Sequence, residues 1–386
     1  MGRTGRIILV LGAGVGGLVA ANELRKRLPR MHRILLVERE ADFVFAPSLL
    51  WVMTGDRTIR TVSRPIARLE RKGIEVIRGQ VESIDSERRA VVAAGRRLTP
   101  DYLIIALGAD LAPEGVPGLK EAGHDFYAPA GADSFREAFA SFAGGKLVLL
   151  TASPAYKCPG APYEAAMLLE AACRKRGIRA QAEISLYAAE AGPMGVAGPD
   201  VSRRVRQMVE SKGVRYYPEH QVTEVLKDPR RIRFASGGDA SYDLLAYVPP
   251  LAAPRVVRDA GLLGESGWVP VDRNTLQTKY PGVFALGDVT GIPLAMGKPL
   301  PKAGVFAHKE AEVVARNVAR EITGRGARAS YDGWGECFIE TGDGRGGFGR
   351  GDFYAEPTPR VSIERPSWRW HAAKVLFEKY WLRRWF

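Results

Sequence analysis

The chain has 386 residues, 46% of them apolar and 26% charged, which excludes a disordered or fibrous protein and leaves room for two or three domains. No run of eighteen uncharged apolar residues occurs, so no membrane-spanning helix is expected. The formal charge of +13 points to an anionic partner, and residues 365–386 concentrate it, with six Lys/Arg against the single Glu378.

The first residues, MGRTGRIILVLGAGVGG, are basic and then apolar, as in a secretion signal. The glycines inside the apolar run fit a phosphate loop better, and no small-residue cleavage site follows before Glu23, so a cleaved signal is not expected. Ile7 to Leu11 is a continuous apolar run, the pattern of a strand buried on both faces. Gly12, Gly14 and Gly17 then complete G-x-G-x-x-G, with Gly16 beside them, before a helical stretch from Leu18 to Leu28. A second strand, Ile34 to Val37, ends at Glu38. In such a unit the glycines allow a tight turn, close approach of a diphosphate to the backbone and close helix–strand contact. The helix N-terminus faces the phosphates, and the acid at the second strand end accepts ribose hydroxyls. Residues 43–55 lack charge but contain Pro47 and Gly55, and read as a covered irregular segment.

Strand Tyr102 to Ala106 leads into Leu107-Gly108-Ala109. A second βαβ unit follows, with strand Lys146 to Leu150, helix Pro162 to Arg176 and strand Ala182 to Tyr187. Its turn carries Pro154, Lys157, Cys158, Pro159 and Pro162 and has no glycine loop. Prolines remove N–H donors, so this turn is unsuited to a nicotinamide dinucleotide. Residues 281–288 form a short strand ending in Gly287-Asp288, and a helix follows the intervening loop. Two alternating units predict an α/β protein of two Rossmann-like domains, the second degenerate, with a C-terminal membrane-associating helical segment. The expected boundaries are 1–110 and 246–325 for a dinucleotide domain in two parts, 111–245 for the second domain and 326–386 for the C-terminal segment.

The glycine loop alone fits NAD or FAD. The late strand with Gly287-Asp288 and the mid-chain turn at Gly108 resemble the second and third signatures of two-dinucleotide-domain flavoproteins, which makes FAD the expected cofactor. No metal is expected, because Cys158, Cys173 and Cys337 fit no zinc spacing. Cys173 lies within a helical run and reads as a small buried hydrophobe. Cys158, next to Lys157 and just ahead of a helix, reads as a thiol disposed to ionise. Cys337 sits in the extended stretch Trp334-Gly335-Glu336-Cys337-Phe338. Two such thiols can relay electrons to a flavin by thiol–disulfide steps.

These cysteine contexts, together with Phe45-Ala46-Pro47-Ser48, Tyr163-Glu164, Pro301-Lys302-Ala303-Gly304 and Lys374 to Tyr380, resemble the sulfide:quinone oxidoreductases over nearly the whole chain. The resemblance implies sulfide capture at Cys158 and Cys337, with Cys337 passing electrons to FAD and membrane quinone accepting them. It makes Glu164 a candidate proton acceptor, although a plain helix N-terminal charge explains it equally. It implies cofactor contacts at Arg39, Ser48, Val81, Gly108, Lys302 and Gly304, and a quinone site lined by Phe338 and Phe377. Two departures stand out. Residues 127–131 lack the third cysteine of many members, an arrangement closer to flavocytochrome c sulfide dehydrogenase, and Glu336 replaces an apolar residue beside Cys337. The family's histidines near the active site have no clear counterpart. A cytochrome acceptor, a type II NADH dehydrogenase and a non-catalytic flavin carrier are the competing readings.

The tail from Trp368 mixes Trp, Tyr, Phe and Leu with Arg and Lys, the composition of a headgroup-level helix. The expected partners are therefore sulfide, quinone and an anionic membrane surface held by residues 366–386, in a homo-oligomer with no nucleic-acid role. The expected location is peripheral, on the membrane surface.

Overall fold

The computed structural model describes residues 5–386, so only residues 1–4 of the N-terminal segment lie outside it. Strand β1 (Ile7–Leu11), helix α1 (Val15–Arg27) and strand β2 (Arg33–Glu38) form the first unit. Helix α2 (Leu49–Met53) follows, then strands β3 (Glu75–Arg78) and β4 (Tyr102–Ile105). The apolar runs of β1, β2 and β4 are buried because helices and loops cover both sheet faces. The segment 43–55, expected to be irregular, is helical at α2 and wholly buried there, since all five of its residues are large and apolar.

The second unit contains β5 (His124–Asp125), β6 (Gly145–Thr151), α3 (Ala161–Lys175), β7 (Ala182–Ala188), β8 (Arg215–Tyr217) and β9 (Leu244–Val248). These strands make a parallel sheet in the order β5-β9-β6-β7-β8. The chain then returns to the first sheet with β10 (Val283–Ala285), which pairs in parallel with β4 and completes the order β10-β4-β1-β2-β3. Two Rossmann-like sheets therefore carry the molecule, the first closed by a strand that arrives some 180 residues after its neighbour.

Helix α4 (Gly304–Thr323) packs along α1 over the first sheet. An antiparallel sheet of β11 (Trp334–Gly342), β12 (Arg345–Asp352) and β13 (Arg360–Ile363) follows, and helix α5 (Trp368–Arg384) ends the described structure. β11 lies against α3, and α5 lies against β12, so the C-terminal segment bridges the two sheets. Among the described residues no helix is long and apolar enough to cross a membrane.

Candidate active site at the junction of the two sheets

The glycine loop separates structural glycines from one that faces open space. A Cβ on Gly17 would stand 1.8 Å from the Gly12 carbonyl oxygen, and one on Gly16 would stand 2.3 Å from Leu286 Cδ1. Gly12, at φ +91, adopts a conformation that glycine alone takes readily. Gly14, the residue before α1, has no described atom within 4 Å of its added Cβ. Helix α1 has no capping side chain and no acid in its first turn, whereas its last turn carries Arg25, Lys26 and Arg27. Its first N–H groups are thus left for an anion, and the basic end complements the dipole. Glu38, at the tip of β2, accepts the Ala13 N–H at 2.6 Å and the Glu40 N–H at 2.9 Å, which fixes its carboxylate beside the loop. This geometry fits a dinucleotide diphosphate and its ribose.

Around the second signature, Gly287 N–H donates to Glu310 Oε2 at 2.6 Å, and the Lys302 ammonium donates to the Asp288 and Thr290 carbonyls at 2.6 and 2.9 Å. Lys302 also stands 3.4 Å over the Trp268 ring. Burial pulls Lys302 down to about 8, against Asp288 and Glu310, and leaves it mostly protonated at neutral pH. Burial pushes Glu310 up to about 7. It raises Asp288 too, with Lys157 and Lys302 opposing. Gly304 opens helix α4, where a Cβ would touch Val15 Cγ2 at 3.4 Å, and Gly108 (φ +69) has open space. The remaining expected contacts differ in placement. Val81 is buried. Arg39 is exposed, 3.5 Å from Glu40. Ser48 is fully buried and donates its hydroxyl to Glu378 of α5, so that hydroxyl braces the C-terminal helix.

Cys158 occupies a strained turn at φ +51, a left-handed conformation uncommon for a non-glycine residue. Its N–H donates to the Lys302 carbonyl at 2.6 Å, and its own carbonyl accepts the Tyr127 hydroxyl at 3.0 Å and the Ala161 N–H at 2.9 Å. The backbone therefore ties the first cysteine to the segment carrying Lys302. Cys337 lies on β11 opposite Gly349 of β12, so no side chain stands across the strand pair from its sulfur. All three cysteines are free thiols, with Cys173 fully buried in α3.

The sequence suggested an ionised Cys158. The structure gives the opposite direction, because burial raises the thiol well above its ordinary value, and Cys337 and Glu164 raise it further. Cys337 is exposed as a residue, yet desolvation of its thiol pushes it up to about 12. The helix N-terminus and Lys157 do not offset this desolvation.

Both thiols feel the same ion pair. Lys374 of α5 stands 2.6 Å from Glu164 Oε2 of α3, and both side chains are almost wholly buried. The same carboxylate oxygen accepts the Glu340 N–H at 2.9 Å, so Glu164 joins α3, β11 and α5. Burial works against the Lys374 ammonium, but Glu164 and Glu340 outweigh it and hold it above the ordinary lysine value. Beyond the pair, Glu340 Oε2 meets His371 Nδ1 at 2.8 Å, and Trp51 of α2 lies under Lys374 at 5.1 Å and Arg57 at 4.8 Å.

Phe338 and Phe377 approach to 6.0 Å between ring centroids, and Phe348 stacks on Trp370 at 4.6 Å beside them. Glu336 is exposed, and its Oε1 accepts the Trp334 indole N–H at 3.0 Å. Helix α5 is mixed on both sides. It buries Lys374, Glu378, Trp381 and Leu382 and exposes Trp368, Leu376, Phe377 and Tyr380. Among the described residues no cluster could hold a metal ion.

Residues 6–311 match the family described as pyridine nucleotide-disulphide oxidoreductase. The chain belongs to that family. Within it, the likeness is to the sulfide:quinone oxidoreductases. The sulfide-quinone reductase of Aquifex aeolicus is 28% identical over 395 aligned positions, covering 97% of this chain and 90% of that protein. The mitochondrial sulfide:quinone oxidoreductase of Mus musculus is 26% identical over 364, covering 91% and 79%. The crystal structure of the Aquifex aeolicus sulfide:quinone oxidoreductase superposes with a TM-score of 0.89 at 26% identity, over 98% of this chain and 91% of that one.

In this oxidoreductase the turn after β6, which carries no glycine loop, is tied to the chain's own Glu190. Thr151, Tyr156 and Tyr163 all donate hydroxyls to Glu190, just beyond β7. Sequence reasoning passed over Glu310, Trp268, Glu340 and His371, and saw Lys374 only as part of a tail motif. For Glu310 a signal existed: it falls on the apolar face of α4 with Phe306, Val314 and Asn317, where an acid is out of place.

Proposed function

We propose that this protein oxidises sulfide at Cys158 and Cys337 with FAD as cofactor and delivers the electrons to a membrane quinone. The observation that carries the reading is the convergence of two free cysteines, 179 residues apart in sequence, on the single Glu164–Lys374 pair, with Cys158 tied to the Lys302 segment. Each turnover takes HS⁻ to zero-valent sulfur, one proton and two electrons, and quinone with two electrons and two protons becomes quinol. Bound FAD supplies the two-electron acceptor between them.

The residues suited to hold FAD are Gly12, Gly14, Gly16, Gly17 and Glu38 at the adenosine diphosphate, and Gly108, Gly287, Asp288, Lys302 and Gly304 towards the ring, with Arg39 and Val81 at the periphery. Lys302 provides a fixed cation. Cys158 and Cys337 hold the incoming sulfur as a persulfide or polysulfide bridge, and Glu164 takes the thiol proton. The pair Phe338 and Phe377 lines the quinone site, where Glu336 is turned to Trp334 and leaves the aromatic face clear. The exposed Trp368, Leu376 and Tyr380, flanked by Arg369, Lys379 and Arg383, lie on anionic lipid at headgroup depth, so quinone is met where it dissolves. NADH is not the donor, because the second unit's turn is proline-rich and its Glu190 is internally bonded.

The test is anaerobic. Sulfide added to the oxidised holoprotein should bleach the flavin absorbance, a short-chain quinone should restore it, and NADH should do neither. Bleaching by NADH and not by sulfide would reverse the reading.

A further inference from the structure

The thiols pose a problem that the site must solve. Burial holds both protonated near neutral pH, yet a thiol must lose its proton before it attacks sulfur or donates electrons. Glu164 is a carboxylate that acts on both thiols, but it is buried and bonded to Lys374, so a proton placed there needs an exit.

Glu340 and His371 form that exit. Glu340 lies on β11, three residues beyond Cys337, with only 1% of its surface exposed. Its Oε2 is bonded to His371 Nδ1 at 2.8 Å, while its buried Oε1 has no hydrogen-bond partner among the described residues. An orphaned carboxylate oxygen in a dry interior is costly unless it takes up a proton. The groups facing it are Lys374 and Glu164 on one side and His371 on the other. His371 keeps about a third of its side chain (34%) in solvent. Its other neighbour is the edge of Trp51, at 6.1 Å.

We propose that Glu164, Lys374, Glu340 and His371 form a proton relay that carries thiol protons from Cys158 and Cys337 to the surface beside α5. This rests on the sulfide-oxidising reading and adds its proton path. The thiol gives its proton to the Glu164 carboxylate and becomes a thiolate. With Glu164 neutralised, the anion that chiefly held Lys374 charged is gone, and Lys374, on a flexible stem, releases one ammonium proton to Glu340 Oε1 and is refilled from Glu164. Glu340 passes a proton to His371 Nδ1, and the imidazole loses one to solvent. Every transfer moves one proton; rotation of the Glu340 carboxyl and exchange of the His371 ring protons with solvent then restore the starting state. Burial holds the Glu340 carboxyl above the ordinary carboxylate range, so it can carry the proton while His371 empties. Glu340 and His371 touch no reacting atom and act through Glu164 and Lys374.

The test mixes oxidised holoenzyme with sulfide in weakly buffered solution containing a pH indicator, and follows proton release and flavin bleaching together. In His371→Ala both should slow at least tenfold at pH 7, and added imidazole should restore both. Glu340→Gln, which keeps the buried shape, should show the same slowing without rescue. Sulfide affinity and the circular dichroism spectrum should match the wild type in both variants. Unchanged proton release in His371→Ala, or slowing that imidazole does not relieve, would overturn the relay while leaving sulfide oxidation standing. A wild type that sulfide does not bleach would overturn both.

Discussion

Replacing Lys374 with methionine removes the cation from Glu164 while keeping the length of the side chain. Both partners are nearly dry, with 8% and 4% of their side-chain surface exposed, so solvent cannot take over the lost charge. Breaking such a pair on one side destabilises by about 3–5 kcal/mol, since the remaining ion stays buried without a counter-charge. Unfolding entropy of about 2.1 cal/mol/K per residue gives about 0.8 kcal/mol/K for this chain, so the melting midpoint should fall by about 4–6 °C. The double change Glu164→Gln with Lys374→Met removes both charges and should recover all but about 1 kcal/mol of the loss. Flavin fluorescence on heating and far-UV circular dichroism measure this in the holoprotein. A single variant melting within 1 °C of wild type, or a double variant no more stable than the single, would refute the view that α5 is anchored by a buried ion pair.

Three further perturbations probe other parts of the site. Gly14→Val should give a folded, colourless protein, because its Cβ meets no described atom but enters the diphosphate position, whereas Gly17→Ala should lower folding yield through its 1.8 Å clash; spectra and soluble yield tell the two apart. In reduced protein the iodoacetamide rate at Cys337 should rise about tenfold per pH unit from 7 to 10, because a thiol raised to about 12 stays mostly protonated there; a plateau near the ordinary value of about 8.5 would contradict burial as the dominant cause. Glu at Leu376 and Tyr380 together should release the protein from anionic vesicles with the melting midpoint unchanged, since both side chains are over 60% exposed; continued co-sedimentation would count against that face.

Much of this was legible in the sequence, and the reasons differ by residue. The glycine loop, Glu38 and the strand before Gly287-Asp288 lie in short local patterns, and β1, β2 and α3 formed close to where the sequence placed them. Helix α2 was missed because five residues beside Pro47 are too short to show a helical repeat. Ionisation of Cys158 was misjudged because adjacency to Lys157 is visible in sequence, whereas burial of the thiol near Cys337 and Glu164 is a tertiary property. The Ser48 hydroxyl meets Glu378, 330 positions away, a contact that no local pattern announces. The Glu164–Lys374 contact spans 210 positions and the Glu340–His371 contact 31, so no local spacing announces either. The tail looked like a lipid-facing segment that mixes aromatic and basic residues. In the structure its buried side carries Lys374 and Glu378 beside Trp381 and Leu382, and its outer side carries Trp368, Leu376 and Tyr380 among Arg369, Lys379 and Arg383.

The account stands most directly on sulfur being captured between two particular residues. Holoenzyme treated anaerobically with sulfide, quenched in acid and digested without reductant should yield peptides containing Cys158 and Cys337 joined through one or more extra sulfur atoms, each adding about 32 Da by mass spectrometry. Recovery of both peptides unlinked and unmodified, from enzyme whose flavin had been bleached and reoxidised through several turnovers, would contradict it.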